Sequence, residues 1–203
     1  MIRVAAFDIG KVLLEFDYGI FVRNMAPRTG KTVEELDQFL NSSPLLAEYE
    51  SGAMDSRTFY EAIQQATGFE GNQAEFAALF EDIFEPIDAI IEAHRQLVDS
   101  GLPTYTLSNT NEMAVQHMAK TYDFWPRFSG HVLSYEAKSL KPDSVIYEVF
   151  EQTTGCTGEA IVYLDDRPEN IAAARERGWQ AIQHVEPAST LPALAALGLP
   201  VNS

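Results

Sequence analysis

The chain is poor in cysteine and in basic residues. Cys156 is the one cysteine among 203 residues, so no internal disulfide can form. Lys and Arg together number 14 against 30 Asp and Glu, which gives a formal net charge of −16. This negative balance repels phosphate backbones and anionic lipid. We therefore expect neither a nucleic-acid partner nor adhesion to a membrane surface.

Long apolar runs are also missing. No stretch approaches the ~20 consecutive apolar residues that a membrane-spanning helix needs. The opening segment MIRVAAFDIG holds only a short apolar run that ends at Asp8, unlike a secretory signal. A cytoplasmic location is therefore expected. The chain is 46% hydrophobic and 22% charged, which is typical of a folded protein with one core domain and room for an insertion.

Two kinds of pattern alternate along most of the chain. Short runs that are apolar on both faces predict buried strands over residues 4–7, 103–107, 131–134, 161–164 and 180–185. Amphipathic patterns predict helices over 87–99, 112–120, 144–152 and 169–177, with a closing helix from 187. This alternation predicts an α/β fold with a parallel sheet flanked by helices on both faces.

Residues 17–85 interrupt the alternation. Helical patterns cover 33–40, 45–50, 56–66 and 74–84, and we find no convincing strand among them. We therefore predict two parts. Residues 1–16 and 86–203 form the α/β core, and residues 17–85 form a helical segment inserted after the first strand.

Polar residues follow the predicted strands. They are Asp8, Ser108, Asn109, Asp165 and Asp166, with Lys141 before the helix that leads to the strand over 161–164. Ligands bind beyond the carboxyl ends of strands in open α/β sheets, so these groups are expected to share one edge of the sheet.

Their chemistry fits a phosphate site. Clustered carboxylates repel one another unless a cation such as Mg²⁺ lies between them. Asp8 is then placed as a nucleophile toward phosphorus. The Ser108 hydroxyl and the Asn109 backbone N–H can donate to phosphate oxygens, while Lys141 supplies positive charge.

Four motifs carry a resemblance to a known family. They are FDIGKVL at 7–13, LSNTN at 107–111, LKPDSVIY at 140–147 and YLDDRPENI at 163–171. In this order they resemble the haloacid dehalogenase superfamily of Mg²⁺-dependent phosphohydrolases. The resemblance implies a Rossmann-like core, and the helical segment corresponds to the family's small α-helical cap.

The resemblance also implies roles for individual residues. The implied catalytic residues are Asp8, as nucleophile, and Lys141. The implied phosphate-binding residues are Ser108, Asn109 and Lys141. The implied Mg²⁺ ligands are Asp8, the Gly10 carbonyl and Asp166, with Asp165 binding directly or through water.

Gly10 departs from the usual family pattern. Most phosphatases of the family carry a second Asp there, as general acid and base, whereas a branch resembling bacterial α-glucose-1-phosphate phosphatases has Gly. Losing a positioned proton donor slows a reaction by about 10²–10⁴-fold, and by less when the leaving group is good. Glu15 and Asp17 are candidate replacements. Lys11 brings charge toward the phosphate, points at solvent or pairs with Glu15.

These observations favour a Mg²⁺-dependent phosphatase that acts on a small phosphorylated metabolite, with a sugar phosphate expected. The partner is then a small phosphate ester, and the chain acts as a monomer or a homodimer. One alternative is a 2-haloacid dehalogenase that uses Asp8 without a metal, although the Asp165–Asp166 pair would repel its anionic substrate. A second alternative, motivated by Gly10, is a ligand-binding member of the family with little turnover.

Overall fold

A parallel sheet of five strands, in the order β5-β4-β1-β6-β7, forms the centre of the molecule. The computed structural model describes residues 1–81 and 83–202. Its strands are β1 (Val4–Phe7), β2 (Leu14–Phe16), β3 (Phe84–Pro86), β4 (Thr104–Ser108), β5 (Gly130–Leu133), β6 (Ile161–Asp165) and β7 (Gln180–Gln183). The strands β2 and β3 pair separately as an antiparallel ribbon.

Helices cover both faces of this sheet and fill the segment between β2 and β3. The first five are α1 (Tyr18–Met25), α2 (Val33–Ser42), α3 (Leu45–Glu50), α4 (Ser56–Thr67) and α5 (Gln73–Glu81). The others are α6 (Asp88–Asp99), α7 (Glu112–Thr121), α8 (Ser134–Ala137), α9 (Ser144–Thr154), α10 (Pro168–Glu176) and α11 (Pro187–Ala196). Within the described residues, none of these helices has the length and apolarity to cross a bilayer.

The central strand β1 shows why the sheet is buried on both faces. Ala5 and Phe7 join one hydrophobic cluster, whereas Val4 and Ala6 join a second cluster. Alternate residues of a strand point to opposite faces, so the two clusters lie on opposite sides of the sheet. Complete burial of a side chain such as that of Phe7 contributes about 1.5–3 kcal/mol. The predicted α/β architecture, with its doubly covered parallel sheet, is confirmed.

The helices α1–α5, which we call the helical insert, form a core of their own. Its buried residues include Phe21, Tyr49, Phe59 and Phe76, and it also takes in Met113 from α7. The Tyr49 and Phe59 rings stack with their centroids 4.5 Å apart. The helical character predicted for this segment is confirmed, while the predicted domain boundaries at residues 16 and 86 stay a prediction.

The ribbon of β2 and β3 corrects the prediction that residues 17–85 hold no strand. Phe84 and Glu85 belong to β3, and Phe84 pairs with Phe16 of β2. The helix predicted over 74–84 ends earlier, at Glu81, and residue 82 lies outside the described residues. Three-residue strands are too short to show a period, and their pairing joins residues about seventy positions apart, so the local pattern carries no signal of them.

Candidate active site

The carboxyl ends of β4, β1 and β6 lie side by side, because β1 pairs in parallel with both neighbours. Asp8 follows β1, while Ser108 and Asp165 are the last residues of β4 and β6. A cavity of about 270 Å³ opens at this edge, and Asp8, Ser108 and Lys141 are among its lining residues. The parallel sheet therefore brings together residues from all four sequence motifs.

Lys141 is buried at the centre of the cluster. Its Nζ lies 3.0 Å from Asp8 Oδ1 and 2.6 Å from Asp165 Oδ2, and it donates to the Leu107 carbonyl at 2.9 Å. These three contacts match the three donors of an ammonium group. Burial alone would lower the pKa of Lys141, but the charges of Asp8 and Asp165 outweigh it and raise the pKa. Lys141 is therefore a fixed positive charge.

Asp8 lies beside this charge in a site that disfavours its ionised form. Its Oδ1 accepts the Ile9 backbone N–H at 2.7 Å, and its carboxyl group is hydrogen-bonded to Ser108. Burial, reinforced by the nearby charge of Asp165, raises the pKa of Asp8 to about 7 against the opposing effect of Lys141. Additional positive charge at this point would favour the carboxylate that a nucleophile needs.

Asp165 is fully buried and bonded on both of its carboxylate oxygens. Oδ2 accepts from Lys141 and from the Tyr163 hydroxyl, and Oδ1 accepts from the Arg167 backbone N–H at 2.8 Å. The Asn170 amide lies 3.0 and 3.1 Å from the two oxygens. Burial alone would raise the pKa of Asp165, but Lys141 and these hydrogen bonds lower it. Asp165 is thus a stable anion that orients Lys141.

Asp166 differs from its neighbour because it is only half-buried and lines the cavity. Burial and the charge of Asp165 raise its pKa. Asp8, Asp165 and Asp166 each present a carboxylate oxygen, and these oxygens lie within 4.8 Å of one another. Asn170 Oδ1, buried at the cavity wall, has no hydrogen-bond partner among the described residues. This donor set fits Mg²⁺, which prefers a few carboxylates completed by waters.

Asn109 has a side-chain contact that the sequence did not indicate. Its Nδ2 donates to the Lys141 carbonyl at 3.0 Å, and its Oδ1 accepts the Lys141 backbone N–H at 2.7 Å. The amide therefore fixes the backbone that carries the buried lysine. Asn109 and Ser108 both line the cavity. Because the Asn109 side chain is already hydrogen-bonded to Lys141, the group of Asn109 left for the predicted contact with phosphate is its backbone N–H.

Gly10 lines the cavity, and an aromatic ring fills the space beside it. A Cβ atom added to Gly10 would lie 2.7 Å from Phe16 Cε1, closer than real Cβ contacts allow. A side chain at this position therefore requires that Phe16 move. Most phosphatases of the haloacid dehalogenase family carry their second Asp at this position. Here the Phe16 ring of β2 fills the space that such a side chain would enter.

Neither candidate proton donor predicted from the sequence lines the cavity beside Asp8. Glu15 pairs with Lys11 at 2.5 Å. Asp17 caps α1 by accepting the Gly19 N–H at 2.7 Å, and it also pairs with Arg23 at 3.2 Å. Both carboxylates line a neighbouring depression instead. Of the alternatives for Lys11, the structure shows the pair with Glu15, and Lys11 also lines the cavity.

A carboxyl group that sequence reasoning missed does line the cavity. Glu50 is the last residue of α3 in the helical insert, and its carboxyl group is hydrogen-bonded to the Tyr18 hydroxyl of α1. Burial raises the pKa of Glu50 to about 7. Burial and the adjacent Glu50 also raise the pKa of Tyr18, so its hydroxyl keeps its proton. The segment LLAEYE carries no local sign that its last residue faces a site formed by distant strands.

Solved structures share this architecture. A predicted HAD-like family hydrolase from Porphyromonas gingivalis superposes with a TM-score of 0.82 at 21% identity, over 97% of this chain and 98% of that one. A HAD family enzyme from Bacteroides thetaiotaomicron, in complex with magnesium and inorganic phosphate, gives 0.79 at 20% identity over 90% and 94%. The chain has the haloacid dehalogenase fold.

The haloacid dehalogenase fold also covers a more distant structure with different chemistry. L-2-haloacid dehalogenase from Xanthobacter autotrophicus, with chloropropionic acid covalently bound, superposes with a TM-score of 0.64 at 14% identity, over 98% of this chain and 84% of that one. The fold therefore does not by itself decide between attack on phosphorus and attack on carbon. That choice depends on the residues of the site.

Two sequence relatives come from Aspergillus species. The chain is 23% identical over 198 residues to a sesquiterpene phosphatase from Aspergillus oryzae, which covers 96% of both proteins. It is 23% identical over 186 residues to a drimenol cyclase from Aspergillus calidoustus, which covers 90% of this chain and 34% of the cyclase. No protein-family model matches the chain.

Proposed function

We propose that this chain is a Mg²⁺-dependent phosphomonoesterase that hydrolyses a small phosphorylated metabolite through an aspartyl-phosphate at Asp8. The observation that carries the proposal is the buried Lys141 ammonium, 3.0 Å from the Asp8 carboxylate at the edge of a cavity that Asp166 also lines. A nucleophile beside fixed positive charge, in a water-restricted site, suits attack on an anionic phosphoryl group.

The first half-reaction forms the intermediate. The Ser108 hydroxyl and the Asn109 backbone N–H bind the phosphoryl oxygens. An Asp8 oxygen attacks phosphorus, the P–O bond to the alcohol breaks, and Lys141 neutralises the charge that develops. Asp8, Asp166 and the Gly10 carbonyl would hold Mg²⁺, which would supply further positive charge to the phosphoryl group.

The second half-reaction regenerates the site. Water attacks phosphorus, the bond between phosphorus and the Asp8 oxygen breaks, and inorganic phosphate leaves. We assign Asp165 to orienting Lys141 rather than to ligating the cation, because hydrogen bonds engage both of its oxygens.

Two substrate classes are favoured by different observations. Gly10 favours a sugar phosphate, because the branch that resembles α-glucose-1-phosphate phosphatases also has Gly at this position. An anomeric oxygen is a good leaving group, so its departure depends less on the missing Asp. An apolar wall that includes Ile9, Phe16, Leu46 and Met118 favours a prenyl or terpenyl monophosphate. A relative that is a sesquiterpene phosphatase supports this second class. Both classes belong in the substrate panel.

The test measures release of p-nitrophenol from p-nitrophenyl phosphate, with MgCl₂ or with EDTA. We expect turnover with MgCl₂ alone, and a loss of at least about 10³-fold in Asp8→Asn because the attacking group is gone. The matched control is Asp123→Asn, which removes the same charge from an exposed position. Circular dichroism establishes that each variant is folded.

Three outcomes contradict the proposal. Phosphate release that persists in EDTA would mean that the reaction needs no metal. Chloride release from 2-chloropropionate in EDTA identifies a dehalogenase. Mg²⁺ binding with no phosphate release from the sugar and prenyl phosphates leaves a ligand-binding protein.

A further inference from the structure

The proposed reaction lacks an assigned proton donor for the departing alcohol. Gly10 has no side chain, and the Phe16 ring fills the space beside it. Glu15 and Asp17 line a different depression, where each is paired with a basic side chain. An alkoxide leaves poorly without a proton, so a phosphatase that accepts ordinary alcohol esters needs a donor from elsewhere.

We propose that Glu50 is the general acid and base of this site, supplied by the helical insert and positioned by Tyr18. This inference rests on the proposed phosphatase function. Among the described residues, three carboxyl side chains line the cavity: Asp8, Asp166 and Glu50. The first is committed to attack and the second to the cation, so Glu50 is the carboxyl group left for proton transfer.

The surroundings of Glu50 suit a group that exchanges a proton near neutral pH. Burial raises the pKa of Glu50 to about 7, and the charge of Asp8 acts in the same direction. The Tyr18 hydrogen bond and the charge of Arg167 oppose that rise. The remaining ionisable groups on the cavity wall are Lys11, Lys141 and Asp166. General acids work best when their pKa lies close to the working pH.

Direct contacts fix the Glu50 backbone against the phosphate-binding loop. The Ser134 hydroxyl lies 2.6 Å from the Glu50 carbonyl and accepts the Thr110 backbone N–H at 2.9 Å. Lys138 Nζ donates to the Gly52 carbonyl at 2.8 Å. The carboxyl group therefore comes from a segment that is bonded to Ser134 and Lys138, at the two ends of the short helix that follows β5. Such fixed positioning is what proton transfer to a bound leaving group requires.

A close backbone approach strengthens this attachment. Gly52 has a φ of +70°, and a Cβ added there would lie 2.1 Å from the Tyr135 carbonyl oxygen. On the other side of Glu50, the Tyr49 hydroxyl accepts the Met113 backbone N–H at 3.1 Å. The residues on either side of Glu50 are thus held against the core.

The proton balance closes over the two half-reactions. In the first, the Glu50 carboxyl gives its proton to the leaving oxygen as the P–O bond breaks, so the product is a neutral alcohol. In the second, the Glu50 carboxylate takes a proton from the water that attacks phosphorus. The phosphate leaves, and Glu50 is again protonated.

The test compares Glu50→Gln with the wild type on p-nitrophenyl phosphate and on an alkyl phosphate. For the alkyl ester we expect kcat/KM to fall by about 10²–10⁴-fold, because glutamine donates no acidic proton. p-Nitrophenolate needs no proton to leave, so this variant should release one equivalent in a burst and then turn over slowly. The matched control is Glu48→Gln, at an exposed position of the same helix.

The pH profile separates proton transfer from a merely structural role. In the wild type, kcat/KM for the alkyl ester should fall as pH rises through about 7, because Glu50 loses its proton. Glu50→Gln should lack this limb, and Glu50→Asp should keep part of the activity. Tyr18→Phe should move the limb to higher pH, because the hydroxyl stabilises the Glu50 carboxylate.

Two results overturn the inference while leaving the phosphatase intact. One is an unchanged kcat/KM of folded Glu50→Gln on the alkyl ester. The other is an equal loss of kcat/KM of Glu50→Gln on both esters, with no burst, together with a pH limb that is unchanged in Tyr18→Phe. That combination would identify a structural role for Glu50. If the wild type itself releases phosphate from neither ester, the proposed function fails and the inference fails with it.

Discussion

Replacing Asp8 by asparagine should make the metal-free protein more stable at alkaline pH while it abolishes turnover. The reason is that Asp8 is buried and its pKa is raised from 3.8 to about 7. Between these two values the folded state holds a proton that the unfolded state has released. The free energy of unfolding of the wild type therefore decreases as pH rises through this window, and asparagine cannot contribute to that decrease.

The magnitude follows from the size of the window. A rise from 3.8 to about 7 spans about 3 units, which at about 1.4 kcal/mol per unit gives on the order of 4 kcal/mol above pH 7. At pH 5 only a little more than one unit of the window has been crossed, so the expected gain of Asp8→Asn is about 1.5 kcal/mol. The asparagine keeps an oxygen that can accept the Ile9 N–H bond.

Urea unfolding in EDTA, followed by tryptophan fluorescence at pH 5 and pH 8, measures this difference. We expect the stability gain of Asp8→Asn to grow between the two pH values, while the exposed control Asp123→Asn stays parallel to the wild type. MgCl₂ at 100 times its dissociation constant should stabilise the wild type by about 2.7 kcal/mol and Asp8→Asn by much less. A variant that is less stable than the wild type at pH 8 would refute the reasoning.

Two further substitutions test the packing around the site. Lys141→Met removes the ammonium that two buried carboxylates share. Urea unfolding should show a free energy of unfolding that is lower by about 3–5 kcal/mol at pH 8. The loss should be smaller at pH 5. Gly52→Ala should lower alkyl phosphatase activity and stability more than Gly68→Ala. Both glycines have positive φ, but a Cβ meets a backbone oxygen only at Gly52, so equal effects would contradict the close approach.

The strand-end residues could be predicted because each follows a strand whose apolar run is local and continuous. The strand predicted over 4–7 is observed at Val4–Phe7, and that over 103–107 is observed one residue later, at Thr104–Ser108. Parallel pairing then forces their carboxyl ends to one edge of the sheet. Proximity of Asp8 to Ser108 and Asp165 follows from this topology once the strands are assigned.

The contributions of the helical insert could not be predicted in this way. Glu50 faces the cavity because residues of α3 are hydrogen-bonded to Ser134 of α8 and Met113 of α7, more than sixty positions away. Its own helix, LLAEYE, offers only a polar residue at a helix end. The role of the Asn109 side chain escaped for the same reason, since its partner is a backbone segment at residue 141.

The charges at the cavity explain how a protein with a net charge of −16 can take an anionic substrate. Three basic side chains line the described cavity, and each already has a carboxylate partner. Lys141 is shared by Asp8 and Asp165, Lys11 is paired at 2.5 Å, and Arg167 is paired at 2.5 Å. A phosphate dianion therefore meets no uncommitted positive side chain in the described part of this wall, which is why a divalent cation belongs to the proposal.

The same balance bears on the protonation of Glu50. A phosphate dianion bound beside Asp8 adds negative charge to a cavity in which burial and Asp8 already raise the pKa of Glu50. Like charges disfavour ionisation, so substrate binding should raise that pKa further and keep the carboxyl protonated until the alcohol leaves. Once the dianion has become a phosphoryl group on Asp8 and the alcohol has carried the proton away, the carboxylate is available to act as a base toward water. The negative charge of the bound substrate thus keeps Glu50 protonated at the stage of the reaction at which it must donate a proton.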